Sequence, residues 1–497
     1  MSLLHADDIA VFDGRTRLVA PTSLTLAPGE PLVILGETGS GKSLLAQAIM
    51  GTLPDSLRAE GQVRIAGLTL PAQARAGFRG LWGRQIAVLP QEPWLSLDPL
   101  MRAGPQVAEA HRLVGGMARA CARMQAEADL RALGLAQAQH RYPHELSGGM
   151  AQRVAIAAAR AGGAPIVIAD EPTKGLDAAR RDDVAGLLLS ALAQGGGLMV
   201  ITHDLALARM IGGRLIVLRA GAVVETGPTA EVFASPGAAY TAELIAADPQ
   251  CWPREKPRDK PLGKPPTSPP ADTPRPVAEA RDLCLTRGGK TVMQNTTLAL
   301  NPGRILGITG PSGCGKSSLG DALLGLLRPD RGRVTRAPDV APTGFQKLYQ
   351  DPVAAFPRKL SLGRTLADVA RLHRAPAGQI DRLMGRLKLD PVLLIRHPAA
   401  VSGGELQRIA LLRAMLARPR ALFADEPTSR LDPITQRDVI ALLVDLARSD
   451  GVAIALVSHD IALIEAVADD VLTLAGPDAA PLHRDAGTAA AADEQAA

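Results

Sequence analysis

The octapeptide Gly36-Glu37-Thr38-Gly39-Ser40-Gly41-Lys42-Ser43 returns as Gly310-Pro311-Ser312-Gly313-Cys314-Gly315-Lys316-Ser317. A chain that repeats itself at this distance folds as two like units. Two further segments repeat with it. Leu146-Ser147-Gly148-Gly149-Met150-Ala151-Gln152-Arg153 returns as Val401-Ser402-Gly403-Gly404-Glu405-Leu406-Gln407-Arg408, and Ala169-Asp170-Glu171-Pro172-Thr173 as Ala424-Asp425-Glu426-Pro427-Thr428. The spacing from Ser147 to Glu171 equals that from Ser402 to Glu426. At 497 residues the chain has room for two cores.

These repeats predict a first domain over 1–248 and a second over 278–475. Between them, 249–277 is dense in Pro, Lys and Asp and reads as an extended tether. The Ala-, Asp- and Gly-rich stretch 476–497 reads as a disordered tail. Much of the small net charge of +5 lies in Arg254–Lys264, which suits a solvated linker better than a nucleic-acid surface. No run of about 18 apolar residues offers a membrane span, and the N-terminus lacks a secretion-signal pattern. Cys121, Cys251, Cys284 and Cys314 are scattered without zinc or disulfide spacing, as in a reducing compartment.

Each octapeptide follows an apolar β-type run and opens a helical one, the context a phosphate loop needs. There Gly36, Gly39 and Gly41, and Gly310, Gly313 and Gly315, let backbone N–H groups converge on phosphates. Lys42 and Lys316 would reach the β- and γ-phosphates, while Ser43 and Ser317 would place a hydroxyl on Mg²⁺. Asp170 and Asp425 end apolar strands, as metal-binding carboxylates do, and Glu171 and Glu426 are placed to polarise an attacking water. His203 and His459 each follow a later apolar strand and would hold phosphate and water in register. Alternating strands and helices imply an α/β core in each half.

With these motifs the chain resembles the ATP-binding-cassette superfamily over nearly everything except linker and tail. The resemblance implies two phosphate-loop NTPase domains in tandem, each with a helical signature subdomain, using ATP and Mg²⁺. It places Gln91 and Gln350 at the metal and γ-phosphate, and Asp177 and Asp432 at the domain interface. It implies composite sites in an intramolecular sandwich: Ser402, Gly403 and Gly404 would close over the first phosphate loop, and Ser147, Gly148 and Gly149 over the second. Phe12 would stack on adenine, whereas Thr286 stands at the matching place in the second half. Tighter ATP binding at the first site follows. Cys314, inside the second phosphate loop, is expected to be a reactive thiolate.

The segments Gln91-Glu92-Pro93-Trp94-Leu95-Ser96-Leu97-Asp98-Pro99 and Gln350-Asp351-Pro352 resemble the peptide and nickel import subfamily. So does Glu225-Thr226-Gly227-Pro228 through Tyr240-Thr241. This implies a peripheral ATPase on the cytoplasmic face of the cell membrane, partnered by two integral-membrane permeases and indirectly by a solute-binding protein, with no nucleic acid. Divergence between Trp94-Leu95-Ser96-Leu97-Asp98 and Val353-Ala354-Ala355-Phe356-Pro357 suggests two different permease chains. A tandem sugar-importer ATPase and a soluble cassette protein of ribosomes or DNA are the alternatives; prolines in the linker and the missing coiled-coil or zinc insertions speak against the second.

Overall fold

The computed structural model describes residues 2–173, 178–253, 275–287, 290–311, 313–429 and 431–474. The expected tail, Asp177 and most of the linker lie outside these residues. Each half carries an antiparallel sheet packed beside a mostly parallel one. In the first half β1 (Leu4–Asp13), β2 (Thr16–Leu26), β4 (Arg58–Ile65) and β5 (Leu68–Pro71) form the antiparallel sheet in the order β2-β1-β4-β5. Its strands alternate, with Ala59, Val63 and Ile65 of β4 turned inward.

The second sheet is built from β3 (Leu32–Leu35), β6 (Ile86–Leu89), β7 (Ile166–Asp170), β8 (Gly197–Thr202), β9 (Arg214–Arg219) and β10 (Ala222–Pro228). Its order is β10-β9-β3-β8-β7-β6, and only the edge strand β10 runs antiparallel to its neighbour. Every residue of β3 and β8 is buried. That is the pattern of strands covered by helices on both faces, and it explains why they read as unbroken apolar runs. β3 lies between β9 and β8, far from β6 which follows it in the sheet's sequence, so the chain crosses the sheet there and leaves a crevice at the strands' carboxyl ends, where α/β sheets bind ligands.

The second half repeats the plan with fewer strands. An antiparallel sheet of β11 (Ala278–Arg287), β12 (Lys290–Leu300) and β14 (Arg331–Arg336) adjoins β13 (Ile305–Thr309), β15 (Phe345–Leu348), β16 (Ala421–Asp425), β17 (Ala453–Val457) and β18 (Asp470–Thr473). The latter five are parallel, in the order β15-β16-β17-β13-β18.

Between β6 and β7 the first half inserts the helices Ala103–Leu113, Arg119–Ala132 and Gly148–Arg160, which share a core of Val107, Ala126, Leu130 and Val154. Their counterparts, Leu362–Leu372, Gln379–Arg386 and Gly403–Leu416, bury Leu366, Leu383 and Leu406 in one cluster with the sheet residues Ile454 and Leu456.

The halves touch beyond their covalent link. Ile434 packs on the first half's core, and Arg437 pairs with Glu243 at 3.2 Å. Pro249–Cys251 forms a 3-10 turn, and Trp252 packs against the second half's core. Among the described residues no helix is long and apolar enough to cross a membrane.

Candidate active site

Both octapeptides form the connection from a buried strand to a helix, β3 to Lys42–Met50 and β13 to Lys316–Leu324. Glycine is required at particular points. A Cβ on Gly36 would lie 2.3 Å from the Leu218 carbonyl oxygen, and Gly41 and Gly315 cap their helices at φ 95° and 96°. Neither helix has a side-chain cap or an acidic residue in its first turn, so the N–H groups and positive dipole end face the loop without a built-in anion. Lys42 Nζ donates to the carbonyls of Gly36 and Glu37, both at 2.7 Å, and Lys316 Nζ to those of Gly310 and Pro311 at 2.9 and 3.0 Å. Each ammonium is thereby folded over its own loop. Burial pushes the Lys42 pKa down, against Glu171, Asp170, Asp432 and Glu37, which favour the charge.

In each half the glutamate after one strand meets the histidine after the next, a contact that the sequence reading did not predict. Glu171 follows β7, takes φ 49°, and accepts from His203 Nδ1 at 2.7 Å and from Thr202 Oγ1 at 3.4 Å. Burial pushes its carboxyl up, but the charge and hydrogen bond of His203, with Lys42, outweigh it and hold the carboxyl below the usual range. Burial likewise lowers His203, and Glu171 more than reverses it, so the imidazole is held cationic above its ordinary range. In the second half Glu426, at φ 47°, meets His459 Nε2 at 2.7 Å through Oε1, while its Oε2 accepts from Gln350 Nε2 at 2.7 Å.

Glu171, His203, Glu426 and His459 line one cleft of about 340 Å³ between the halves. Asp432 comes close enough to the first phosphate loop to act on Glu37 and Lys42. The signature serines are not brought to this cleft. Ser147 Oγ accepts from the Met150 amide and Ser402 Oγ from the Glu405 amide, each capping its own helix.

The metal donors proposed from sequence are hard oxygens: the Ser43 and Ser317 hydroxyls, the Asp170 and Asp425 carboxylates and the Gln91 and Gln350 amides. Ser43 and Ser317 open the phosphate-loop helices, Asp170 and Asp425 close β7 and β16, and Gln91 and Gln350 follow β6 and β15. That set suits Mg²⁺, which takes few protein ligands and shares phosphate oxygens.

Two expectations change. Cys314 is 1% exposed within an apolar cluster, and burial pushes its thiol up despite Lys316, so it is a packed thiol and no reactive thiolate. Its side chain turns from the phosphate-facing backbone into the core. The Phe12 ring is covered on one face by the Arg58 guanidinium at 4.4 Å, which leaves one face for the adenine stacking expected from the sequence. Thr286 does occupy the matching register: it pairs with Thr291 as Phe12 pairs with Arg17.

Sequence reasoning missed Tyr240, whose hydroxyl accepts from the Glu37 amide at 3.2 Å across 203 residues. No local signal carries so distant a contact. Burial and Glu37 push its phenol up, which keeps it neutral.

A model of the family described as ABC transporter matches residues 19–174 and 293–429. The chain is similar to the peptidoglycan transport ATP-binding protein YejF of Agrobacterium fabrum, 33% identical over 478 residues that cover 91% of this chain and 86% of that protein. It is 32% identical to the glutathione import ATP-binding protein GsiA of Escherichia coli strain K12, over 94% of this chain and 83% of that one. Among solved structures it superposes on RNase-L Inhibitor with a TM-score of 0.64 at 20% identity, covering 94% of this chain and 87% of the other. A likeness at that identity is one of fold.

Proposed function

The chain belongs to the ABC transporter family, and we propose that it is the ATP-hydrolysing subunit of an importer for peptides, nickel or a related small solute. It would work through separate permeases on the cytoplasmic face of the membrane. The observation that carries the hydrolytic part is the paired geometry: in both halves a glutamate directly after a strand-ending aspartate lies 2.7 Å from a histidine after the next strand. A carboxylate beside a phosphate loop can take the proton of an attacking water, and the histidine fixes its orientation. Lys42 and Lys316 would neutralise the phosphates as charge moves to the leaving oxygen. Mg²⁺ supplies further neutralisation when held by Ser43, Asp170 and Gln91, or by Ser317, Asp425 and Gln350. Closure of the sandwich would bring Ser402, Gly403 and Gly404 to the first loop and Ser147, Gly148 and Gly149 to the second.

Relatives named for glutathione import and peptidoglycan transport favour a peptide-like cargo over a sugar. An apolar groove of about 320 Å³ at the seam of sheet and helices, lined by Trp82, Val88, Val114, Ala158 and Gly162, suits a short permease helix. Exposed Leu100 and Leu113 in the first half, and Leu372 and Ile395 in the second, give each half its own apolar surface for different permease chains.

Glu171→Gln and Glu426→Gln should keep nucleotide binding while lowering ATP turnover by about 10²–10⁴-fold, the usual loss with a general base. Unchanged turnover in both would remove the catalytic assignment. Co-purification, cross-linking from each groove and uptake by vesicles containing the permeases test the rest. Isolation on ribosomes with no membrane partner would overturn the transporter reading, and one permease species cross-linked equally to both halves would overturn the reading of two.

A further inference from the structure

The helix Ala239–Ala246 touches the first phosphate loop at one end and the second half at the other. In its first turn Tyr240, 4% exposed, brings its hydroxyl to Glu37, the second residue of the loop, and accepts from that amide at 3.2 Å. The Glu37 carbonyl in turn accepts from Lys42 Nζ at 2.7 Å and from the Ser40 amide at 3.1 Å. Tyr240 is thus joined to the loop's lysine through a single residue. The tyrosine is itself fixed from two sides. Its ring lies under the Arg219 guanidinium at 4.8 Å, and the start of its helix hangs from Glu225, whose carboxylate accepts from the Gly237 and Ala238 amides at 2.6 and 3.1 Å.

Three residues on, Glu243 pairs with Arg437 of the second half at 3.2 Å. Arg437 belongs to the helix Pro433–Asp450, and Ile434 of the same helix packs on the cluster that contains Tyr240 and Leu244. Ile434 and Arg437 are three apart and so share one face, turned to the first half. We propose that Ala239–Ala246 is a strut that carries the docking of the second half to the first phosphate loop, with Tyr240 as the positioning residue at its loop end. The inference rests on the reading that this loop binds nucleotide phosphate. With the second half seated, the strut holds Glu37, and through it Lys42 and Ser40, in one arrangement, so less conformational freedom is lost when phosphate binds. Tyr240 acts through the loop and touches no reacting atom.

The test uses the full chain carrying Lys316→Ala, so that a fluorescent ATP analogue reports on the first site. Tyr240→Phe keeps the ring and removes the hydroxyl, and should weaken binding about three- to tenfold, as loss of one hydrogen bond does. Glu243→Arg sets two arginines against each other at a partly exposed pair and should weaken binding about threefold. Adding Arg437→Glu should restore the affinity, and in the Tyr240→Phe chain the reversal should have no further effect. If Tyr240→Phe does not fold, the reversal and its rescue decide alone. Parental affinity in folded Tyr240→Phe overturns the inference and leaves the nucleotide reading standing. So does a reversal that is silent, that survives the charge swap, or that adds in full to Tyr240→Phe. A parent chain that binds no analogue overturns the nucleotide reading and the inference together.

Discussion

The Glu171–His203 contact gives the first site a pH signature with a definite sign. His203 is raised above its ordinary value, so its contribution to folding is complete below about pH 6.5 and is lost as pH climbs through the folded-state value. Glu171 is depressed, so its contribution is complete above about pH 4.3 and is lost as pH falls below that. The pair is therefore most stabilising between those limits. Melting temperature of the full chain should decline from pH 6.5 toward 9, and His203→Asn should flatten that decline; an unaltered slope in the variant would mean that other groups carry it. Cys314 makes a second residue-scale case. Maleimide labelling followed by mass spectrometry should modify exposed Cys121 and Cys251 well before buried Cys314. Fast modification of Cys314 with ATP protection would restore the thiolate picture. The sequence placed this cysteine correctly beside the lysine, yet burial depends on side-chain direction, which spacing along a loop does not encode.

At the scale of elements, what was legible was whatever repeats or alternates. Phosphate loops, strand-ending carboxylates and strand-following histidines sit where a chain crossing a parallel sheet must put them, because all three lie at carboxyl ends of strands. Contacts between separate elements were not legible. Arg58, which begins β4, covers Phe12 of β1 only because those strands pair, Phe12 opposite Arg58. That neighbour changes the adenine prediction without removing it, since the ring keeps a second face and stacking on a base contributes about 1–3 kcal/mol. In a chain silenced at the second site by Lys316→Ala, Phe12→Ala should weaken binding of a fluorescent ATP analogue about fivefold or more. Equal affinity in parent and variant would show that the base lies elsewhere.

At the scale of the molecule, the halves are joined by more than a tether. The first half ends in the helix Ala239–Ala246 and a turn, held by Arg209 against Asp248 at 2.6 Å, that delivers Trp252 onto the second half's core. The same segment contributes Asp248, Pro249 and Gln250 to the cleft that holds both glutamate–histidine pairs. In the second half the helix Ile461–Val467, which begins just after His459, contacts that turn. In the proposed closure, movement of either half would pass through this contact next to His459. Full burial and loss of a tryptophan typically costs about 3–5 kcal/mol, and Trp252 is partly buried, so Trp252→Ala should cost about 1–2 kcal/mol. The expected outcome is a lower melting transition for the second half, with turnover impaired more than nucleotide binding, because closure and not the phosphate loop is disturbed. Fluorescence follows the docking directly. The chain has three tryptophans, so Trp82→Phe with Trp94→Phe leaves Trp252 alone as reporter. Its emission should shift on ATP binding if this contact moves with closure. A Trp252→Ala chain with parental melting and turnover, together with a reporter blind to nucleotide, would reduce the segment to a passive end of the first domain.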